Sequence, residues 1–263
     1  MSTHPASPIG TAHILLELLL DIAIHILSSG AHTGKAIRVT RRVAVAYGYD
    51  ADFIVMPQSI SLSLSHSGAR HERITAVRSV LPLALNFSMN NALSALSWRA
   101  ADERVSLEEL RSLYQEIIVR PPLNFHIKAA LISCANLSFC YLFGGDAPSM
   151  GLVLVGTFLG FELRHQLGRR RVHPLLALLA ASFFASLAAG LAVFCHLGNT
   201  PSIALATSVL YLIPGVPLLN SLIDILGGHV LNGLAHFVNS CTQIICIALG
   251  LFGTLFLLGF DNL

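Results

Sequence analysis

The sequence predicts a membrane protein in two parts: a small cytosolic α+β domain over residues 1–120, and a five-helix transmembrane bundle over 121–263 whose fourth helix is broken. Three observations carry this reading. Of 263 residues, 54% are hydrophobic and only 11% charged, with a mean hydropathy of +0.69. An ordinary soluble domain carries roughly 25% charged residues, so this composition belongs in lipid. Most Lys, Arg, Asp and Glu residues precede position 130, which sets a polar region ahead of an apolar one. Finally, the apolar stretch 199–236 is interrupted by Pro214-Gly215-Val216-Pro217 and then dotted with Asn220, Asp224 and His229.

Residues 12–28 are apolar, yet Glu17 and Asp21 interrupt them and the first basic residue is Lys35. A secretory leader needs a positive start, so the N-terminus is expected to stay in the cytosol. Glu17, Asp21 and His25 recur at every fourth residue, one face of an amphipathic helix. A second helix is expected from Thr33 to Tyr47, stopped at Gly48. From Phe53 to Ser65, Ile54, Met56, Ile60, Leu62 and Leu64 hold even positions while Ser59, Ser61, Ser63 and Ser65 hold odd ones. That alternation predicts one half-buried strand. His66 to Arg70 supplies a turn, Glu72 to Val80 the returning strand, and Pro82 its end. Helices from about Asn90 to Arg99 and from Ser106 follow. Ser106-Leu107-Glu108-Glu109 matches a capping box, in which hydroxyl and carboxylate satisfy opposite orphan amides. About 120 residues can bury a core of their own, and Pro121-Pro122 marks the end of the domain.

Five spans are expected beyond it, at about 123–143, 150–167, 174–196, 202–223 and 230–259. Each approaches the ~20 residues that cross ~30 Å of hydrocarbon, although the second is short. Lys128 borders the first span, and Arg164, Arg169, Arg170 and Arg171 crowd the loop between the second and third. Positive charge marks the cytosolic side, so these ends are expected inside. The loops Gly144–Ser149 and Leu197–Thr200 contain no Lys or Arg, as expected of the far side. Five crossings from a cytosolic start would leave Asp261 and the C-terminus in the periplasm.

Two prolines flanking a glycine interrupt a helix, because proline lacks a donor and crowds the preceding turn. Lipid cannot satisfy the freed carbonyls, so such a break at membrane depth implies protein or a water-filled cavity around it. Asn220 and Asp224, four apart, share a face directly after the break, and His229 follows Gly227-Gly228. A carboxylate at this depth costs a few kcal/mol and faces a partner or a cavity, as in the intramembrane site of a transporter. Asp224 and His229 together could hold a proton or orient an ammonium or carboxylate group. In the last span Asn232, His236, Asn239 and Gln243 fall on one side of the helix and must face protein or water. Ser182, Ser186 and Ala189 in the third span, and Gly156 and Gly160 in the second, read as close-packing faces.

Other chemistries find no support. Cys134, Cys140, Cys195, Cys241 and Cys246 form no CxxC pair and read as small core residues, so neither metal nor cofactor is expected. Gly30-Ala31-His32-Thr33-Gly34-Lys35-Ala36 approaches a phosphate-binding loop, but has one residue too few between its glycines and Ala36 in place of Ser or Thr. It is not a nucleotide site. His66 and His71 fit an exposed turn. No hydrolase, kinase or metalloprotease signature and no basic run interleaved with aromatics is present, so neither an enzyme nor a nucleic-acid binder is expected.

The ordered run Asn199-Thr200-Pro201, Ile203-Ala204, Ser208-Val209-Leu210, Pro214-Gly215, Pro217-Leu218, Asn220, Asp224, Gly228-His229 and Gly233-Leu234-Ala235 resembles the signature of the threonine/serine exporter family. The likeness is to its N-terminal membrane module and extends over nearly the whole chain, Gly30-Ala31 and the Ser-rich strands included. The family occurs as one fused chain of about ten spans or as two proteins, and this chain resembles the larger, domain-bearing subunit of the split form. The resemblance implies an inner-membrane exporter of small polar metabolites, threonine and serine or short dicarboxylates such as succinate, that works with a smaller membrane subunit. Asp224, Asn220, Pro214, Gly215, Pro217, His229, Asn232, His236, Asn199 and Thr200 are its expected pathway residues. His236 stands where many relatives carry Arg, which makes a charge-dependent role there sensitive to pH. A scaffold or regulator that recruits a cytosolic partner through the N-terminal domain is the alternative.

Overall fold

The computed structural model describes residues 8–66, 73–194 and 198–259. The turn expected at 67–70, His71, Cys195 and Asp261 lie outside them. The chain divides into two compact units, Met1–Pro121 with Val216–Val238, and Pro122–Gly215 with Asn239–Leu263. The segment 216–238 thus packs with the N-terminal residues.

In the first unit, helix α1 (Pro8–Ser28) is the core. Leu15, Leu16, Leu19, Leu20, Ile22 and Ile26 are all fully buried, because a helix apolar on nearly every side must be surrounded. Its polar stripe is used. Glu17 and Asp21 pair with Arg78, and His25 Nδ1 lies 3.0 Å from the Tyr114 hydroxyl. Helix α2 (Thr33–Ala46) is amphipathic, with Ala36, Val39, Val43 and Ala44 facing α1 and the core. Helices α3 (Phe87–Glu103) and α4 (Leu107–Val119) complete the layer. Ser106 caps α4 by accepting from the Glu109 amide at 3.2 Å, while the Glu109 carboxylate faces Arg99.

The strand expected over 53–65 is two strands. β1 (Tyr49–Met56) and β2 (Ser59–His66) pair antiparallel across the turn at Pro57-Gln58, and β3 (Arg73–Ser79) extends the meander in the order β1-β2-β3. Met56 opposes Ser59 and Val55 opposes Ile60, so odd positions of β1 share a face with even positions of β2. Ile60, Leu62 and Leu64 are accordingly buried, but Ile54 and Met56 are exposed. A two-residue turn reverses the parity that an uninterrupted strand would keep.

The second unit contains α5 (Phe125–Leu142), α6 (Ala147–Arg169), α7 (Pro174–Phe194), α8 (Pro201–Ser208) and the later turns of α10 (Val230–Leu258). Small residues bring these helices close. A Cβ on Gly156 would sit 2.8 Å from the Ala185 carbonyl, and one on Gly250 would sit 2.6 Å from that of Leu179. Ser182 donates to the Ile247 carbonyl at 2.7 Å, and Ser186 meets Thr254 at 2.7 Å. Such hydrogen bonds between helices take the place of a hydrophobic drive that lipid does not supply. Cys140 is buried and Cys134 exposed, with Cys241 and Cys246 half-buried, and all four are free thiols.

Among the described residues, α1, α5, α7 and α10 are long and apolar enough to cross a membrane, and the pair Pro201–Leu212 and Gly215–Leu226 makes a fifth if counted as one broken span. This set differs from the expected five. It omits α6, where Glu162, Arg164, His165 and Gln166 follow an apolar run of limited length, and it includes α1, which is 61% buried within the protein.

Candidate functional site

Helix α8 ends at Ser208, a 3-10 turn covers Leu210–Leu212, and Ile213 is extended at φ −62°, ψ 127°. The helical conformation is disfavoured for a residue that precedes a proline, and Pro214 stops this helix at Ile213. Helix α9 (Gly215–Leu226) then starts afresh, with Pro217 in its first turn where a missing amide costs nothing. It ends in a Schellman motif: the Gly228 amide donates to Ile225, that of His229 donates to Asp224 at 2.8 Å, and Gly228 adopts φ +84°.

Asp224 is 2% exposed. Its Oδ1 accepts from the Thr33 amide at 2.8 Å and its Oδ2 accepts from Thr33 Oγ1 at 2.9 Å. These donors stand at the N-terminus of α2, where unpaired amides and the helix dipole favour an anion. The buried carboxyl group is thereby held by two donors at the open end of α2.

The turn that presents Thr33 follows from its own sequence. Helix α1 ends in a second Schellman motif, with Gly30 at φ +99° and the Ala31 amide donating to the Ile26 carbonyl. His32 then caps α2, accepting from the Lys35 amide through Nδ1 at 3.2 Å. Accepting there requires a neutral ring. Burial first, and then Arg38, push the His32 pKa below its usual range, with Asp224 pulling the other way and Lys35 and His229 adding to the depression.

Two amides complete the node. Asn220 Nδ2 donates to the Gly30 carbonyl at 2.9 Å, while Asn232 Nδ2, 3% exposed, donates to Thr33 Oγ1 at 3.2 Å and to the Val55 carbonyl at 3.0 Å. Asn232 Oδ1 is buried with no hydrogen-bond partner among the described residues. Lys35 Nζ reaches buried Asn90 at 2.5 Å. Close contact of α9 with α10 makes room for this: a Cβ on Gly233 would lie 2.7 Å from the Ser221 carbonyl.

The structure therefore brings Asn220, Asp224 and Asn232 together, with His229 half-buried beside them. Asp224 draws its donors from Thr33, not from Asn220 or the region of Pro214. His236 is exposed on α10. Asn199 and Thr200 lie in the other unit, in a clasp around Asp146. The Asn199 amide donates to Asp146 Oδ2 at 2.5 Å, Thr200 Oγ1 and the Ser149 amide donate to Oδ1, and the Asp146 amide donates to Thr200 Oγ1. Hydrogen bonds from Ser149 and then Asn199 hold the Asp146 carboxyl at about 2. Asp146 and Ser149 escaped the sequence reading, and so did Thr33, whose signal was the glycine-flanked helix start at Gly30–Lys35.

A third polar point lies in the second unit. Asn136, 2% exposed, donates to Thr157 Oγ1 at 2.7 Å and to the Thr207 carbonyl at 3.1 Å. Thr207 also lines a mostly apolar cavity of about 390 Å³ with Phe143, Ser202, Ile203, Ala206 and Leu210.

The family model for threonine/serine exporters aligns with residues 17–258. The chain belongs to the threonine/serine exporter family. It is 24% identical over 237 residues to the probable succinate transporter subunit YjjP of Klebsiella aerogenes, covering 89% of this chain and 90% of that one. It is also 24% identical to the Escherichia coli protein of the same name, over 84% of this chain and 86% of the other. A probable threonine/serine exporter of Mycobacterium tuberculosis is 23% identical over 84% of this chain but only 42% of its own length. No solved structure matches. Family membership and the apolar helices together make the chain a multi-pass membrane protein of a transporter family.

Proposed function

We propose that this chain is the larger subunit of a bacterial inner-membrane exporter of small polar metabolites, threonine and serine or short dicarboxylates such as succinate. It is coupled to an ion and works with a smaller membrane subunit resembling the second half of the fused exporters. The N-terminus is cytoplasmic and the C-terminus periplasmic. Residues 1–120 form the cytosolic region and 121–263 supply the crossings.

One observation carries the reading: a carboxyl group buried to 2% exposure, in the last turn of the helix that follows the break, held by donors from a distant turn. Such an acid costs several kcal/mol to bury unless it is paired, and at the end of a broken helix it is the group that a proton or a substrate amine would engage. Asn220 and Asn232 set the polar wall, with His229 beside it. The relatives named as succinate transporter subunits and as a threonine/serine exporter support the substrate range.

Asp224→Asn is expected to abolish efflux of radiolabelled substrate from cells while the protein stays in the membrane at normal abundance. Undiminished efflux rejects the assignment. Vesicles holding this chain with its small partner are expected to transport, and vesicles holding either alone are not. Comparing threonine, serine and succinate in that assay identifies the solute.

A further inference from the structure

Between β3 and α3 the chain shows an apolar strip that the site above does not use. Leu81, Leu83, Leu85 and Phe87 occupy every second position, and they are 48%, 53%, 45% and 57% exposed. The backbone between them is tied down: the Ala84 amide donates to the Ser28 carbonyl at 2.8 Å and that of Asn86 to Ser29 at 3.1 Å. These two bonds fix the run against the end of α1, and its large side chains stay about half exposed there. Exposing four such side chains in series to water would be costly, and a patch of this kind marks a surface that something covers.

Two observations identify the cover as lipid. Residues 79–98 contain no Asp, Glu, Lys or Arg, although they lie in the half of the chain that carries most of its charge. The rim of a protein partner site is polar and charged, whereas a run without formal charge is one that lipid accepts. The strip is also continuous with a helix of the broken span. A Cβ on Gly30 would lie 2.5 Å from Leu85 and 3.8 Å from Val216, so both side chains close on the same glycine at the start of α9. From there Leu219, Leu222 and Leu226 carry an exposed apolar face along α9, within the same compact unit. Trp98, at the far end of the uncharged run, stacks under the Arg42 guanidinium at 3.5 Å, an aromatic and basic pairing suited to the headgroup layer.

We propose that the segment 81–87 is immersed in the bilayer, so that the region 1–120, cytosolic over its other surfaces, is seated in the lipid through this strip. The inference rests on the membrane placement of α9 and is independent of which solute is carried.

Trp98 is the chain's single tryptophan, so Trp98→Phe gives a silent background. Into the full chain on that background, Leu83→Trp, Leu81→Trp, Leu222→Trp and Thr75→Trp are introduced one at a time. Thr75 is on the exposed sheet surface beside the Asp52–Arg73 ion pair. Each variant is reconstituted in phosphatidylcholine and phosphatidylglycerol vesicles with and without acyl-brominated phosphatidylcholine. Leu83→Trp and Leu81→Trp are expected to be quenched as strongly as Leu222→Trp, with blue-shifted emission, and Thr75→Trp is expected to be unquenched. Quenching at Leu83 and Leu81 no greater than at Thr75 overturns the proposal. Blue-shifted but unquenched emission at both positions also overturns it, because a protein surface or a second copy then covers the strip. An unquenched Leu222→Trp overturns it through the placement of α9, and leaves the efflux assay as a separate test of function.

Discussion

Asp224 and Thr33 are joined twice, amide to Oδ1 at 2.8 Å and hydroxyl to Oδ2 at 2.9 Å, across 191 residues of sequence. The same Asp224 accepts the His229 amide through its backbone carbonyl. One residue thus closes the end of α9 with its main chain and the start of α2 with its side chain.

Thr33→Val keeps the shape of the side chain and removes the hydroxyl that Asp224 and Asn232 share. Leaving buried polar groups without a partner costs about 1–3 kcal/mol. Thermal unfolding in detergent is expected to show that loss for Thr33→Val, and near wild-type stability for Thr33→Ser. Equal stability of all three would deny the bidentate contact an energetic role.

The cap on α2 depends on pH. With its folded pKa below the reference value of 6.5, His32 favours the neutral form in the folded state, so this contribution to stability is present above 6.5 and is lost as pH falls through the folded value. The protection of the Lys35 amide, its exchange rate relative to the intrinsic rate at each pH, is expected to fall on acidification in the wild type. In His32→Asn, whose amide oxygen caps without titrating, that fall should disappear.

Asp146 behaves with the same sign in a lower window. Its carboxyl lies at about 2 against a reference of 3.8, so the clasp on Asn199 and Thr200 holds above 3.8 and opens as pH falls toward 2. Asp146→Asn at neutral pH is expected to lower the protection of the Ser149 and Asn199 amides, relative to their intrinsic exchange rates, as acid does in the wild type. Unchanged exchange there would mean that backbone packing alone closes the loop.

Gly250 and Gly253 lie one helical turn apart on α10 and differ in what surrounds them. A Cβ at Gly250 meets backbone, the Leu179 carbonyl at 2.6 Å and the Phe183 nitrogen at 2.9 Å, whereas at Gly253 it meets only the Phe183 ring at 3.3 Å. Gly250→Ala is expected to lower stability by roughly 1–3 kcal/mol, the usual cost of overpacking, and Gly253→Ala by much less. Thermal scans of both variants in detergent check the order.

Much of this was legible because it is local. Pro214 and Gly215 break the helix by removing a donor and freeing a backbone angle, and Ser106 caps α4 through an amide three residues away. The hairpin was only half legible. Serine alternation continues across Pro57-Gln58 without a gap, yet the turn reverses the parity, so Ile54 and Met56 went to the wrong face. The segment Gly30–Lys35 lacks the spacing of a nucleotide loop, and the carboxyl group that its helix start does hold could not be read there, since it belongs to Asp224, 191 residues away.

What the sequence determined by itself, then, is the membrane character, the order of helices and the position of the break. These follow from composition, periodicity and the stereochemistry of neighbouring residues. Only the tertiary structure decided that 216–238 belongs with the N-terminal residues, that Asp224 ends on Thr33, and that Asn199 and Thr200 serve Asp146 in a different unit. The reason is physical: a buried carboxylate must find donors, many helix starts offer them, and packing alone selects which one comes within 3 Å.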